Sequence, residues 1–409
     1  MDNYKKSVLS SGVTVCSEFV PYASSVAIGI FVVVGSRDEK KEKEGISHFT
    51  EHAVFKGTKT RTEREISFAI ESRGGYLNAS TSREWTSLYA HVLPEDLELA
   101  VDVLGDMVEN PLFLEEDLDA EREIILQEIK MVNDSPENLV FDYSFKSTFG
   151  EEHPLSRFIL GREESVKSIN RNDILEFWGE HWSSNRIFVS AAGKVSHENL
   201  CSLIEKRIKR ERGNNINRFS PLLERVSINI IPKRELKHKY VVLSSSSFPY
   251  TSNLRFGLLI AGTILGSGMS SLLFQRLRQE LNYVYEVSTF SEFFTDTGIF
   301  GIYFSTDRLK ETLNATKDLL GSLEFTEEEV NSAKNRLKGN ILISLESIDN
   351  KMERNIKEEI YGGRRSSILE LLNKIENVSM EEIKTIVDHY LRPENLVLTV
   401  LGEAKNVSW

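Results

Sequence analysis

His48-Phe49-Thr50-Glu51-His52 is the stretch on which the reading of this chain turns. In a helix of about 3.6 residues per turn, positions i, i+3 and i+4 share a face, so two imidazoles and a carboxylate converge on one point. His48 and His52 can then grip one metal ion while Glu51 stands beside it, the arrangement that metal-assisted hydrolysis needs. A chance pair of histidines on an ordinary helix would give the same five residues, so the surroundings have to decide.

Around this helix, strand-like segments lie at Gly12 to Phe19, Val26 to Val34, Gly75 to Ser80 and Thr86 to Val92. Helical patterns follow at Pro94 to Val108, where proline and acids open the first turn, and from Glu115 to about Met131. Strand hairpins and runs of helices, rather than regular alternation, indicate α+β domains. A helix from Asn172 to His181 leads through Ser183-Ser184-Asn185 into a strand that stops at Gly193. The same order returns as helix Glu381 to Tyr390, turn Arg392-Pro393-Glu394 and a strand stopping at Gly402. Apolar helices at Leu254 to Leu265 and Leu272 to Leu281, strands at Val284 to Phe290 and Gly298 to Phe304, and long helices from Glu327 onward extend the parallel. The expectation is two homologous domains of about 200 residues, each a mainly antiparallel sheet packed with helices. They are placed at 1–212 and 222–409, with a polar linker at 213–221.

Composition excludes several classes. With 409 residues, 40% hydrophobic and 27% charged, the chain is an ordinary globular protein rather than a disordered one. Its 50 basic against 62 acidic residues leave a formal charge of −12, with no basic footprint for nucleic acid or anionic lipid. The start, Met1-Asp2-Asn3-Tyr4-Lys5-Lys6, does not read as a signal peptide, and the apolar run Val26 to Val34 is too short to span a bilayer. No membrane association and a cytoplasmic location are therefore expected. Cys16 and Cys201 have neither disulfide nor metal-ligand spacing.

Two histidines do not complete a catalytic zinc site, which usually has three protein ligands. In Asp119 to Lys130, Glu121 and Glu128 lie seven apart on one helix face. Acids at this spacing are usually a solvated face, so spacing alone does not choose a ligand. The second half carries only His238 and His389, both isolated, and its helix from Glu327 to Ser344 has Lys334, Asn335 and Asn340 in place of a second carboxylate cluster. One metal site per chain is expected.

At this point the chain resembles the pitrilysin-type (inverzincin, M16) zinc metallopeptidases, close to the bacterial peptidases similar to the mitochondrial processing peptidase. The resemblance rests on Gly35 to Glu39, Gly45 to His52 and Phe55-Lys56-Gly57-Thr58, then on Gly74 to Thr81 and Glu84-Trp85-Thr86. It continues through Glu121 to Glu128, His153-Pro154-Leu155, Leu160-Gly161 with Glu164-Ser165, Gly266 to Phe274, and Leu277-Arg278 to Tyr285, covering nearly the whole chain. It implies that His48, His52 and Glu128 hold one Zn2+, that Glu51 is the base activating water there, and that Glu121 supports the site as a second catalytic carboxylate. The implied reaction is endopeptidase hydrolysis of peptides or unfolded segments, without a covalent acyl-enzyme.

The resemblance also implies that Asn78 and Ala79 lie in an edge strand that pairs with an extended peptide substrate. Arg278 and Tyr285 match residues that contact the substrate backbone and steady the oxyanion. Between them, Leu281-Asn282-Tyr283 departs from the family's glycine-leucine pattern. Relatives of this size pair into a closed chamber, so a homodimer is expected, with Arg278 and Tyr285 acting at the partner's site. Two alternatives remain open: a non-catalytic assembly subunit of the same fold, and a metal-binding sensor.

Overall fold

The computed structural model describes residues 3–214, 217–218, 227–405 and 407–409. Met1, Asp2 and much of the expected linker, 215–216 and 219–221, lie outside the described residues. The first sheet is built from β1 (Tyr4–Val8), β2 (Thr14–Phe19), β3 (Val26–Val32), β4 (Tyr76–Thr81), β5 (Thr86–Val92) and β6 (Ile187–Gly193). The second contains β7 (Ile228–Ile231), β8 (Lys239–Ser247), β9 (Val284–Phe293), β10 (Gly298–Thr306) and β11 (Val397–Leu401).

Their spatial orders are β1-β2-β6-β3-β5-β4 and β7-β11-β8-β10-β9. Removing β1 makes the two orders correspond strand for strand. Each sheet has one parallel pair in the equivalent place, β2 with β6 and β7 with β11, and is otherwise antiparallel. The expected α+β architecture with two similar sheets is what the chain adopts.

The run Val26 to Val34 reads as continuously apolar because β3 is buried on both faces. Val26, Ile28, Ile30 and Val32 meet the helices Ile46–Phe55, Leu97–Glu109 and Glu115–Asn133 in one core. Ala27 and Phe31 face the other way, against Ile348, Met352 and Ile356 of the helix Ile348–Gly362. Burying those three side chains contributes roughly 5–9 kcal/mol before entropy is counted. Gly29 belongs to this second face. A Cβ there would stand 2.6 Å from the Phe31 ring and 3.3 Å from Met352 Sδ.

That packing changes the domain boundaries. One compact unit comprises Met1–Met131, Arg157–Asn217 and Ser344–Arg365, and the other Val132–Ser156, Arg218–Ile343 and Ser366–Trp409. One changeover lies between Asn217 and Arg218, inside the 213–221 segment. The division into 1–212 and 222–409 differs from the structure at two exchanges. The helix Ile348–Gly362 covers the far face of the first sheet, and the helix Pro136–Phe149 covers that of the second, with Leu139 and Val140 on Val242, Tyr303 and Leu401. Each sheet has two apolar faces, and chain order does not tell which helix covers the second. No helix among the described residues is long and apolar enough to cross a membrane.

Candidate metal centre

The His48 helix starts where it does because its amide groups are met by a carboxylate. Gly45 at its N-terminus has φ of 97°, and a Cβ there would lie 2.7 Å from the Leu160 carbonyl, so glycine is required. The first-turn amides of Gly45 and Ser47 donate to Glu39 Oε2 and Oε1, both at 2.8 Å. Ile46, Phe49, Ala53 and Val54 are buried in the core. This fixes the roll of the helix and presents His48, Glu51 and His52 on another side.

The helix Glu115–Asn133 supplies the rest. Leu118, Ile125, Leu126 and Ile129 are its core contacts, and Glu121 and Glu128 reach the histidines. Glu128 Oε2 is 3.6 Å from His48 Nε2 and 3.7 Å from His52 Nε2, and the three residues' donor atoms all lie within 4.8 Å of one another. Around tetrahedral zinc, with bonds of about 2.0–2.2 Å, neighbouring donors stand about 3.3–3.6 Å apart. The two separations between the carboxylate oxygen and the imidazole nitrogens thus already stand nearly at that spacing, and the chemistry of the three donors suits zinc.

Glu121 plays a different part from Glu128. Its Oε2 is 2.8 Å from His52 Nδ1, and its Oε1 is 3.0 Å from Lys56 Nζ. Burial alone would raise its pKa, but the hydrogen bonds from His52 and Lys56 outweigh burial and hold it below the ordinary glutamate value. An ionised carboxylate only accepts, so the proton sits on His52 Nδ1 and the Nε2 lone pair is turned toward Glu128. Lys56 is four residues past His52, on the same helix face, and this spacing was available in the sequence.

Charge at the site favours a cation. Burial, and then the neighbouring His52, push His48 down to about 3, which keeps it neutral and ready to donate a lone pair. Burial would lower His52 too, but the Glu121 hydrogen bond and the charges of Glu128, Glu51 and Glu121 raise it. Burial raises Glu51, with Glu128 adding to the shift, while a hydrogen bond from Thr81 and the charge of His52 restrain it. Thr81 donates to Oε2; Oε1 has no protein partner among the described residues. Thr81 closes strand β4, so the edge of the first sheet and the carboxylate of the helix are directly joined.

Strand β4 pairs only with β5, placing Asn78 and Ala79 in an edge strand. Ser82 donates to the Trp85 carbonyl at the hairpin end, so the alternation of an antiparallel ladder turns the backbone groups of Leu77, Ala79 and Thr81 to the open side. Asn78 Oδ1 accepts a 2.8 Å hydrogen bond from the Ala79 amide.

The chain is 33% identical over 387 residues to a Rickettsia felis protein named an uncharacterized zinc protease, covering 93% of each chain. This chain belongs to the M16 peptidase family. Residues 14–162 match the family described as insulinase (peptidase family M16), and 168–337 match the peptidase M16 inactive domain. An uncharacterized zinc protease of Bacillus subtilis, YmxG, is 32% identical over 410 residues, with 98% of this chain and 99% of that one covered. A protease from Helicobacter pylori has the same fold, with a TM-score of 0.90 at 18% identity over 98% of this chain and all of that one.

Within the second unit of this M16 chain, Arg278 and Tyr285 come together. The segment Phe274–Glu280 is wound as a π-helix, wider than the expected α-helix, and the Leu281 amide reaches back to the Arg276 carbonyl. The Arg278 guanidinium lies 5.0 Å from the Phe274 ring centre and 5.2 Å from that of Tyr285, which is 79% exposed. Asn282 has φ of 52°, in the left-handed region that glycine favours and asparagine tolerates, so the departure at Leu281-Asn282-Tyr283 preserves a glycine-like turn. Among the described residues, the only group of three or more metal-binding side chains is His48, His52 and Glu128.

Glu39 and Thr81 are the contributors that sequence reading missed. Both belong to quoted family segments, but their partners lie across a loop or on another element, where periodicity gives no signal.

Proposed function

We propose that this protein is a zinc-dependent endopeptidase with one Zn2+ per chain, held by His48, His52 and Glu128. The observation that carries the reading is the convergence of Glu128 Oε2, from one helix, on His48 Nε2 and His52 Nε2 of another, which also carries Glu51. Zinc held there supplies Lewis acidity toward water and toward the scissile carbonyl oxygen. Glu51, its Oε2 engaged by Thr81, takes the water proton on Oε1 and passes it to the leaving amine. Its raised pKa brings the carboxylate closer to neutrality, where a general acid–base works best. Glu121 keeps His52 in the ligating tautomer.

The substrate is an extended peptide or unfolded segment that adds to β4 by backbone pairing at Leu77, Ala79 and Thr81. Asn78 Oδ1 covers the Ala79 amide of the free edge, and the incoming strand displaces it. The working form is a homodimer in which Arg278 and Tyr285 of one subunit serve the zinc site of the other. Its motivation is that the metal-binding group of the described residues lies in the first half alone.

Zinc content measured together with hydrolysis of a quenched peptide tests the function. One zinc per chain and chelator-sensitive cleavage are expected. Absence of zinc would favour an assembly subunit, and zinc without cleavage a sensor. Mixing Glu51→Gln chains with Arg278→Ala chains tests sharing between subunits: recovered activity is expected, and none would refute it.

A further inference from the structure

The edge strand β4 is pinned at both ends. At one end Thr81 bonds to Glu51. At the other, Tyr76 Oη donates to Asp349 Oδ1 at 2.8 Å. Asp349 stands in the first turn of the helix Ile348–Gly362, the element by which the sequence's second half covers the first sheet. His91, directly across the ladder from Tyr76, places its Nδ1 3.1 Å from Asp349 Oδ2 and its Nε2 2.7 Å from Ser25 Oγ. Four side chains therefore gather on one sheet face at the end of β4 away from Glu51.

We infer that Tyr76 and Asp349 are positioning residues that hold the far end of the substrate-accepting strand, and that they set the length of peptide the enzyme uses. The inference rests on the β4 pairing proposed above. β4 has a ladder partner on one side only, so its free end depends on side chains for its register and twist. Tyr76 is 46% exposed and lacks the packing that holds central strands. From Thr81 to Tyr76 the strand runs five steps of about 3.3 Å, or roughly 17 Å. A peptide cut beside Glu51 reaches the Tyr76 end only if it continues for about five residues on one side of the scissile bond. Residues pairing there contribute remote binding energy and take no part in the proton transfers.

The pin also explains a polar arrangement that packing does not require. Ile348, Met352 and Ile356 already seat the helix on the sheet, yet Asp349 turns to the edge and accepts from Tyr76. The helix is further fixed in register where Lys351 and Asn355 reach Glu18 of β2, both at 3.1 Å. Asp349 is thus a firmly held acceptor for a strand that is otherwise free on one side.

The test uses the full-length zinc-loaded protein and two nested sets of quenched peptides, one shortened from the N-terminal side of the cut and one from the C-terminal side. Tyr76→Phe keeps the ring and removes the hydroxyl; Asp349→Ala removes the acceptor. Each is expected to raise KM about tenfold for peptides extending five or more residues on one side, with kcat unchanged. Both parameters should stay at the wild-type level for peptides with one or two residues there. The double variant should be no worse than Asp349→Ala alone, which already removes the Tyr76 contact along with that of His91. Equal losses at every length, or no loss at any, would overturn the inference. Failure of the wild type to cleave any peptide would instead overturn the peptidase reading, and zinc content shows whether each variant keeps its site.

Discussion

Replacing Glu121 by glutamine isolates the carboxylate that touches a proposed ligand without being one. The side chain keeps its shape, and the amide oxygen can still accept from His52 Nδ1, where Oε2 now stands at 2.8 Å. What disappears is the charge. The bond to His52 becomes neutral, and Lys56, at 3.0 Å from Oε1, faces a neutral group in place of its ion-pair partner. Charge-assisted hydrogen bonds contribute about 1.5–3 kcal/mol against about 1 for neutral ones, so His52 becomes a poorer donor by about 0.5–2 kcal/mol. Lys56 then adds unfavourable field near the metal. The expected loss is about 10- to 100-fold in zinc affinity with the stoichiometry still one per chain, in keeping with what outer-shell carboxylates do elsewhere. Competition with a chromophoric chelator measures it directly. Glu128→Gln in the same assay should lose more, since it removes an anionic ligand. Wild-type affinity in Glu121→Gln, or a greater loss there than in Glu128→Gln, would refute the division of roles between the two glutamates.

Thr81→Val removes the hydroxyl that favours the charged form of Glu51. As the proposed base, Glu51 must be ionised to act, so activity is expected to fall as pH drops through its pKa. Losing the donor raises that pKa, and the acid limb of the kcat/KM profile should move to higher pH; an unchanged limb would count against Glu51 as the base. Asp106 is fully buried and accepts from Thr58, Thr60 and Asn110 beside Arg207, tying the turn after the His48 helix to the helix Leu97–Glu109. Burial alone would raise it, but these partners hold it at about 2, below its unfolded value of 3.8. Its contribution is therefore fully present above pH 3.8 and is lost as pH falls through about 2. Asp106→Asn should cost about 1.5–3 kcal/mol in urea unfolding at pH 7, with the difference from wild type shrinking below pH 4.

The helical spacing of His48, Glu51 and His52 made three residues of the site legible, because one helix places all three. Glu128 is different. Its helix could be recognised, but which of its acids faces the histidines depends on how two helices pack, and only the family resemblance separated Glu128 from Glu121. That the two halves repeat one sequence of elements was legible in the units ending at Gly193 and Gly402, whereas the pairing of the strands within each sheet and the exchanged helices were not. Ile348, Met352 and Ile356 show that a helix buries one side, and nothing in their spacing names the sheet they cover. Asn282 was legible as a departure, but its left-handed φ is a property of the turn.

A peptide-library digest by the wild-type protein beside Glu51→Gln, read by mass spectrometry on samples with measured zinc content, tests the central claim most directly. Cleavage by the wild type and none by the variant is expected, with one zinc per chain in both. Cleavage that survives in Glu51→Gln would contradict it.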